Sequence, residues 1–186
     1  MISRELEIMT LPINGSFAIT PKEFRDERGT FLKFYDRKLL KSRNVEPLFV
    51  EDYLSISSKG VIRGLHYQLR PWSQSKLVRC VSGAVYDVMV DICRSSNTFG
   101  KWHSVVLSAD NRKGVYVPNT CAHGFLALDS NSMVSYMTDN DYAPEHERGI
   151  IWNDTSLAIP WPQMDRYIVS KKDHAWPTFD DAEKFT

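Results

Sequence analysis

Ala84-Val-Tyr-Asp-Val-Met-Val-Asp-Ile-Cys93 is the strongest strand signal in this chain. Ala84, Tyr86, Val88, Val90 and Ile92 fall on one face, and Val85, Asp87, Met89, Asp91 and Cys93 on the other. Both faces are partly apolar, so the strand is expected to lie between two layers. Upstream, Lys76–Val81 ends at Ser82-Gly83, a turn signal that predicts a hairpin between the two runs. Further strands are expected at His103–Leu107, Val115–Val117, Phe125–Leu128 and Met133–Thr138. Turn residues punctuate these runs at short intervals, from Asn14-Gly15 to Asp129-Ser130-Asn131, which points to an all-β sandwich or barrel. One short helix is expected near Asp36–Ser42. The polar tail from Asp165 is expected to pack over the barrel as loop and short helix.

The chain has 186 residues, enough to bury a core without disulfides. It reads as one domain, 1–186, with an N-terminal strand extension and a C-terminal tail. Its 23 basic and 23 acidic residues balance, so it offers no general field for nucleic acid or an anionic membrane. Any anionic ligand must be held by a local cluster. No run approaches a membrane span, and Met-Ile-Ser-Arg-Glu-Leu-Glu lacks the layout of a signal peptide. Cys80, Cys93 and Cys121 are odd in number and show no CxxC spacing, which suits reduced thiols in the cytoplasm.

Two of the five histidines sit beside glycine in extended segments: His66 in Arg63-Gly-Leu-His-Tyr-Gln68 and His123 in Ala122-His-Gly-Phe125. Spacing alone leaves each open as an ordinary hydrogen-bonded barrel histidine. Parity adds that His66 and Gln68 share a strand face, as do Lys76, Val78 and Cys80 on the next strand. Arg63 falls opposite His66 unless Gly64 bulges and re-aims it. A base, an amide and an ammonium on neighbouring strands can converge in a barrel mouth. There an ammonium steadies an enolate that a histidine creates. Tyr136 offers a proton from the opposite side, and Asp173 can hold a histidine in one tautomer. Read blandly, Lys76, Tyr136, Asp173 and Arg28 are a strand-end charge, a barrel tyrosine, a tail charge and a turn residue. Arg63 and Lys76 also suit a diphosphate. No second histidine or nearby carboxylate follows His66-Tyr67-Gln68, so no metal triad is expected. No GxGxxG follows a strand, so no nicotinamide cofactor is expected.

Several longer motifs are recognisable in order: Phe24-Arg-Asp-Glu-Arg-Gly29, Arg63-Gly-Leu-His-Tyr-Gln68, Lys76-Leu-Val-Arg79, Thr98-Phe-Gly-Lys-Trp102, Ala122-His-Gly-Phe125, Gly149-Ile-Ile-Trp-Asn-Asp154 and Ile159-Pro-Trp-Pro162. Through them the chain resembles the dTDP-4-dehydrorhamnose 3,5-epimerases, from about Phe24 to Asp173. The resemblance implies a cupin-type jelly-roll β-barrel and epimerisation of a nucleotide-linked 4-keto-6-deoxy sugar without metal or redox cofactor. It implies His66 as base paired with Asp173, Tyr136 as proton donor and Lys76 beside the C4 carbonyl oxygen. Arg63 and His123 become sugar-diphosphate and active-site contacts, Tyr142 stacks on the thymine, and Glu147 and Lys172 contact the ligand. Arg28 reaches the nucleotide across a homodimer into which an N-terminal strand crosses.

Phe31, Lys33, Glu51, Tyr53 and Gln68 are further expected ligand contacts, and the chain departs from the family at several positions, most of them on the recognition side. Lys33 replaces a glutamate, Glu51-Asp52-Tyr53 replaces Gln-Asp-Asn, Cys93 replaces an arginine, and Thr120-Cys121 replaces Gly-Phe. Reversing charge at such a site alters what it accepts. Epimerisation at only C3 or C5, ketoisomerisation and a non-catalytic sugar-binding cupin therefore stay open at this level, beside a metal-dependent oxygenase.

Overall fold

The computed structural model describes residues 6–42, 45 and 48–186. Residues 1–5, which carry most of the segment read for a signal peptide, lie outside them. The strands are β1 (Leu6–Thr10), β2 (Phe17–Pro21), β3 (Glu23–Asp26), β4 (Gly29–Leu32), β5 (Glu51–Ser57), β6 (Val61–Gln68) and β7 (Lys76–Ser82). They continue with β8 (Ala84–Asp91), β9 (Trp102–Ser108), β10 (Gly114–Val117), β11 (Cys121–Ala127), β12 (Ser132–Thr138), β13 (Glu147–Gly149) and β14 (Ile168–Val169). Helices α1 (Arg37–Lys41) and α2 (Lys171–His174) are short. Asp36 caps α1 by accepting the Leu39 N–H, so the helix sits where the sequence placed it.

Two sheets form the barrel. One runs β1-β2-β10-β7-β12-β5 and the other β13-β6-β11-β8-β9, with β14 joining β6 in parallel. Strand β8 is covered on both sides, as its composition required. Val85 and Met89 face the interior with Val78, Cys80, Val115 and Val134 of the opposite sheet. Val88, Val90 and Ile92 face outward and are buried under Leu157 and, from the tail, Phe179 and Phe185. Each such side chain removed from water contributes roughly 1.5–3 kcal/mol. Leu39 and Leu40 of α1 cover the other sheet against Phe17, Ile19 and Leu77. The architecture is that of a jelly roll.

The expected hairpin between Lys76–Val81 and Ala84–Cys93 does not form. β7 pairs with β10 and β12, whereas β8 pairs with β9 and β11. Ser82-Gly83 is a corner that passes the chain from one sheet to the other. Gly83 has φ +68°, and a Cβ there would meet Ser132 Oγ at 2.9 Å. Stacking the two strands buries both apolar interior faces, whereas pairing them edge to edge would leave those faces unopposed. Strand β11 also begins earlier than the Phe125–Leu128 reading, at Cys121, and so contains His123.

One irregularity shapes the barrel mouth. His123 pairs with His66, but Phe125 pairs with Arg63, so β6 carries an extra residue between them. This is the bulge at Gly64 that the alternation left conditional. Gly64 has φ +130°, and a Cβ would lie 2.5 Å from the Gly124 Cα. No other residue fits so close a backbone approach. The bulge turns Arg63 and His66 toward the same cavity. Among the described residues, no helix is long and apolar enough to cross a membrane.

Candidate active site

A cavity of about 860 Å³ opens between the two sheets. His66 and Arg63 reach it from β6, His123 from β11, Lys76 from β7, Tyr136 from β12, and Lys172 and Asp173 from α2. A narrower recess of about 200 Å³ adjoins it, lined by Gln68, Gln74, Thr138 and Glu147. Tyr53, His66, Lys76, Tyr136 and Tyr142 wall both.

His66 Nε2 stands 2.7 Å from Asp173 Oδ1. Ser170 caps α2 by accepting the Asp173 N–H at 3.0 Å, which orients the carboxylate. Trp176 Nε1 donates to Asp173 Oδ1 at 3.3 Å, and its ring meets the His66 ring edge-on. Burial raises the Asp173 carboxyl, but hydrogen bonding and charge from His66, with the Gly64 amide and Trp176, outweigh it and hold it below its ordinary value. With Nε2 bound to a carboxylate, Nδ1 is the free nitrogen of His66.

Tyr136 faces His66 from the other sheet. Its hydroxyl lies 3.1 Å from Ser55 Oγ, and burial holds the phenol well above its ordinary pKa. Burial pushes the Lys76 ammonium down to about 8, against the opposing pull of Glu147 and Asp87. His123 is buried, with Nε2 2.8 Å from Asp87 Oδ2. His66 and His123 are direct cross-strand partners, yet each ring is committed to its own carboxylate. Among the described residues, no three His, Cys, Asp or Glu side chains gather where they could hold a metal ion.

At the rim, Tyr142 donates to Glu147 at 2.7 Å, and Lys172 Nζ lies 2.8 Å from both Glu147 oxygens. The Glu147 bond and burial push the Tyr142 phenol up to about 12. Arg63 donates to Ser57 Oγ at 3.1 Å. Arg63, Lys172 and Lys76 place three cations on the cavity wall, the local cluster that a neutral chain needs to hold an anion.

Other sequence candidates stand differently. Gln68 borders the recess, but its amide donates to the Trp72 and Asp141 carbonyls and accepts from the Ala143 N–H. It fastens the loop carrying Tyr142, and its buried amide is spent on backbone. Tyr53 lines the cavity while its hydroxyl donates to Glu51, which also accepts from Thr138 of the recess, so Glu51 stands behind the wall and not on it. Arg28 and Phe31 lie on the separate β3–β4 hairpin, where Arg28 is paired with Asp26. Lys33 is 3.0 Å from Asp36. Within one chain none of these three reaches the cavity, because the hairpin belongs to neither barrel sheet. Cys80, Cys93 and Cys121 are free thiols.

Sequence reasoning missed Ser55, Ser170, Trp176 and Asp87 as partners of the site. For Asp87 a signal existed, since a carboxylate interrupts the inward apolar face of β8.

Fold and site together define a jelly-roll protein of cupin type, with acid–base groups facing one another across an anion-ready barrel mouth. The sequence profile of the dTDP-4-dehydrorhamnose 3,5-epimerases matches residues 10–181. A dTDP-4-dehydrorhamnose 3,5-epimerase from Shigella flexneri is 48% identical over 97% of this chain and 99% of its own length. The crystal structure of the Elizabethkingia anophelis enzyme of that name superposes with a TM-score of 0.92 at 39% identity, covering 96% of this chain and 98% of that one. A dTDP-6-deoxy-D-glucose-3,5-epimerase from Legionella pneumophila, solved with dTDP-4-keto-L-rhamnose, superposes at 0.90 with 38% identity, covering 95% and 94%. The chain belongs to the dTDP-4-dehydrorhamnose 3,5-epimerase family of isomerases.

Proposed function

We propose that this chain inverts C3 and C5 of dTDP-4-keto-6-deoxyglucose to yield dTDP-4-keto-rhamnose. One observation carries the reading: His66, backed by Asp173, and the Tyr136 hydroxyl approach one cavity from opposite sheets. A C4 ketone acidifies the hydrogens on C3 and C5. His66 Nδ1 takes one of these protons. The C–H electron pair forms a C=C bond, and the carbonyl π pair moves onto the C4 oxygen. The Lys76 ammonium steadies that oxyanion. Tyr136 then donates its proton to the carbon from the other face, the enolate returns to the ketone, and the centre is inverted. His66 releases its proton to water, and the tyrosinate regains one. The raised pKa of Tyr136 keeps it protonated at neutral pH, as an acid must be.

Arg63 and Lys172 hold the diphosphate, His123 contacts the sugar, and Tyr142 stacks on the base. Two copies complete the site, with Arg28, Phe31 and Lys33 supplied by the neighbour's hairpin. Phe31 is 70% exposed, and the edge strand β5 presents Leu54 and Ile56 to solvent, which supports a second copy as their cover. Light scattering should therefore report twice the 21.4 kDa chain mass, and a monomer at micromolar concentration refutes this arrangement. The free thiols and the nucleotide-sugar ligand suit the cytoplasm.

The direct test is turnover of dTDP-4-keto-6-deoxyglucose in deuterated water, followed by NMR. Label at both C3 and C5 is expected. Label at one carbon restricts the enzyme to a single epimerisation, a moved ketone makes it a ketoisomerase, and no label refutes the proposal.

A further inference from the structure

Tyr136 begins each inversion protonated and ends it as tyrosinate. An enzyme that inverts two carbons must therefore restore this proton twice per substrate, once between the inversions and once before the next sugar. Ser55 Oγ lies 3.1 Å from the Tyr136 hydroxyl, and among the described residues it is the one side chain hydrogen-bonded to that oxygen. The contact follows from strand register. Tyr53 of β5 stands opposite Tyr136 of β12, and Ser55, two residues on, shares its face and reaches Tyr136 diagonally. Tyr53 itself is committed, because its hydroxyl donates to Glu51. Ser57, the next residue on that face, accepts from Arg63. Ser55 is half-buried and lines the cavity. A serine hydroxyl has one donor and two acceptor positions, so Ser55 can serve Tyr136 and a cavity water together. We propose that Ser55 acts through Tyr136: after each inversion its hydroxyl passes a proton from cavity water to the tyrosinate.

The inference rests on the reading of Tyr136 as the proton donor. Protons balance along the route. The tyrosinate oxygen takes the Ser55 hydroxyl hydrogen while Ser55 Oγ takes one from water. The hydroxide so formed is neutralised by the proton that His66 Nδ1 releases. His66 is then a base again, Tyr136 an acid and Ser55 a hydroxyl, with nothing gained or lost. Serine is a weak acid, so it gives one proton only as it accepts the other. The electrostatics agree in sign. Burial raises the Tyr136 phenol, but the Ser55 bond pulls the other way, as a donor to the tyrosinate does. Lys76 shares this inward face, opposite Thr138, yet forms no hydrogen bond with Tyr136 among the described residues. The ring of Tyr136 is meanwhile held by His123 and Phe125, at centroid distances of 6.3 and 6.4 Å, whether or not Ser55 is present. Loss of the Ser55 hydroxyl therefore removes the proton's route and leaves the acid in place.

Ser55→Ala tests this in a single turnover, with enzyme in excess over dTDP-4-keto-6-deoxyglucose. Samples are quenched at intervals with borohydride, which reduces the C4 ketone and fixes the configuration at C3 and C5. Hydrolysis and chromatography then identify the sugar. The first inversion uses a Tyr136 that is already protonated, so it should run within about threefold of the wild-type rate. The second needs a restored Tyr136 and should slow roughly 10- to 100-fold, so that a sugar inverted at one centre accumulates. Equal slowing of both inversions, the mark of a misplaced Tyr136, overturns the proposal. So does a second inversion at the wild-type rate. If the chain inverts one carbon only, the same role shows with substrate in excess, as a burst of about one equivalent before slowed turnover, and no burst overturns it. If Ser55→Ala does not fold, Ser55→Val and Ser55→Thr take its place, alike in shape and different in the hydroxyl. Only Ser55→Val should accumulate the singly inverted sugar, and equal behaviour of the two overturns the proposal. Wild-type protein that inverts neither centre would instead defeat the functional reading beneath it.

Discussion

Replacing His66 with asparagine is expected to lower solvent-deuterium exchange at C3 and C5 by about 10⁴-fold, the upper end of what one acid–base group contributes. The loss follows from geometry. Nε2 is held by Asp173, and Nδ1 is the one ring atom left to accept a carbon-bound proton. Asparagine is too short to replace Nε2 at Asp173, but β14 still pairs with β6 and Ser170 and Trp176 still hold Asp173, so the tail stays docked while the basic nitrogen is lost. Ligand affinity should change little, because the cavity's cations are untouched. Thermal stabilisation by dTDP, a mass-action effect of binding the folded state, measures that separately. Exchange within tenfold of the wild type would remove His66 from the role of base.

Tyr136→Phe should separate the two halves of the reaction. The ring contacts with Phe125 and His123 survive, since only the hydroxyl is lost. The Ser55 hydrogen bond goes with it. Proton removal by His66 continues, but nothing returns a proton from the opposite face. His66 gives the enolate back a proton on the face it came from. Recovered substrate should then carry deuterium with its configuration unchanged, while epimer formation falls about 10²- to 10³-fold. Mass spectrometry of recovered substrate and NMR of product read the two outcomes together. Epimer formed at the wild-type rate would mean that the second proton comes from elsewhere.

The site was partly legible in the sequence because its strand residues obey a period of two. That rule put His66 with Gln68 and Lys76 with Val78 and Cys80. It also made the position of Arg63 depend on Gly64, where the bulge turns out to lie. It could not bring Asp173 to His66, 107 residues away. That contact is made by α2 docking against β6, with Ser170 setting its start. Period-two reasoning also marked Gln68 for the cavity without seeing that the backbone of the next loop consumes its amide. The β3–β4 hairpin lies beyond the reach of that rule. Family resemblance put Arg28 at the nucleotide across a homodimer, with Phe31 and Lys33 among the ligand contacts, and within one chain none of the three lines the cavity.

By itself the sequence determined the local things: alternation along β8, the capped turn of α1, the frequent corners of an all-β chain, and the motifs that carry family membership. These are set by the near neighbours of each residue. Only the tertiary structure decided that Ser82-Gly83 is a corner between sheets, that β6 bulges against Gly124, and that Asp87 lies behind His123 and Asp173 beside His66. Such choices depend on which faces are buried together and on which buried charges must find partners. No turn signal encodes them, because the groups that meet are far apart along the chain.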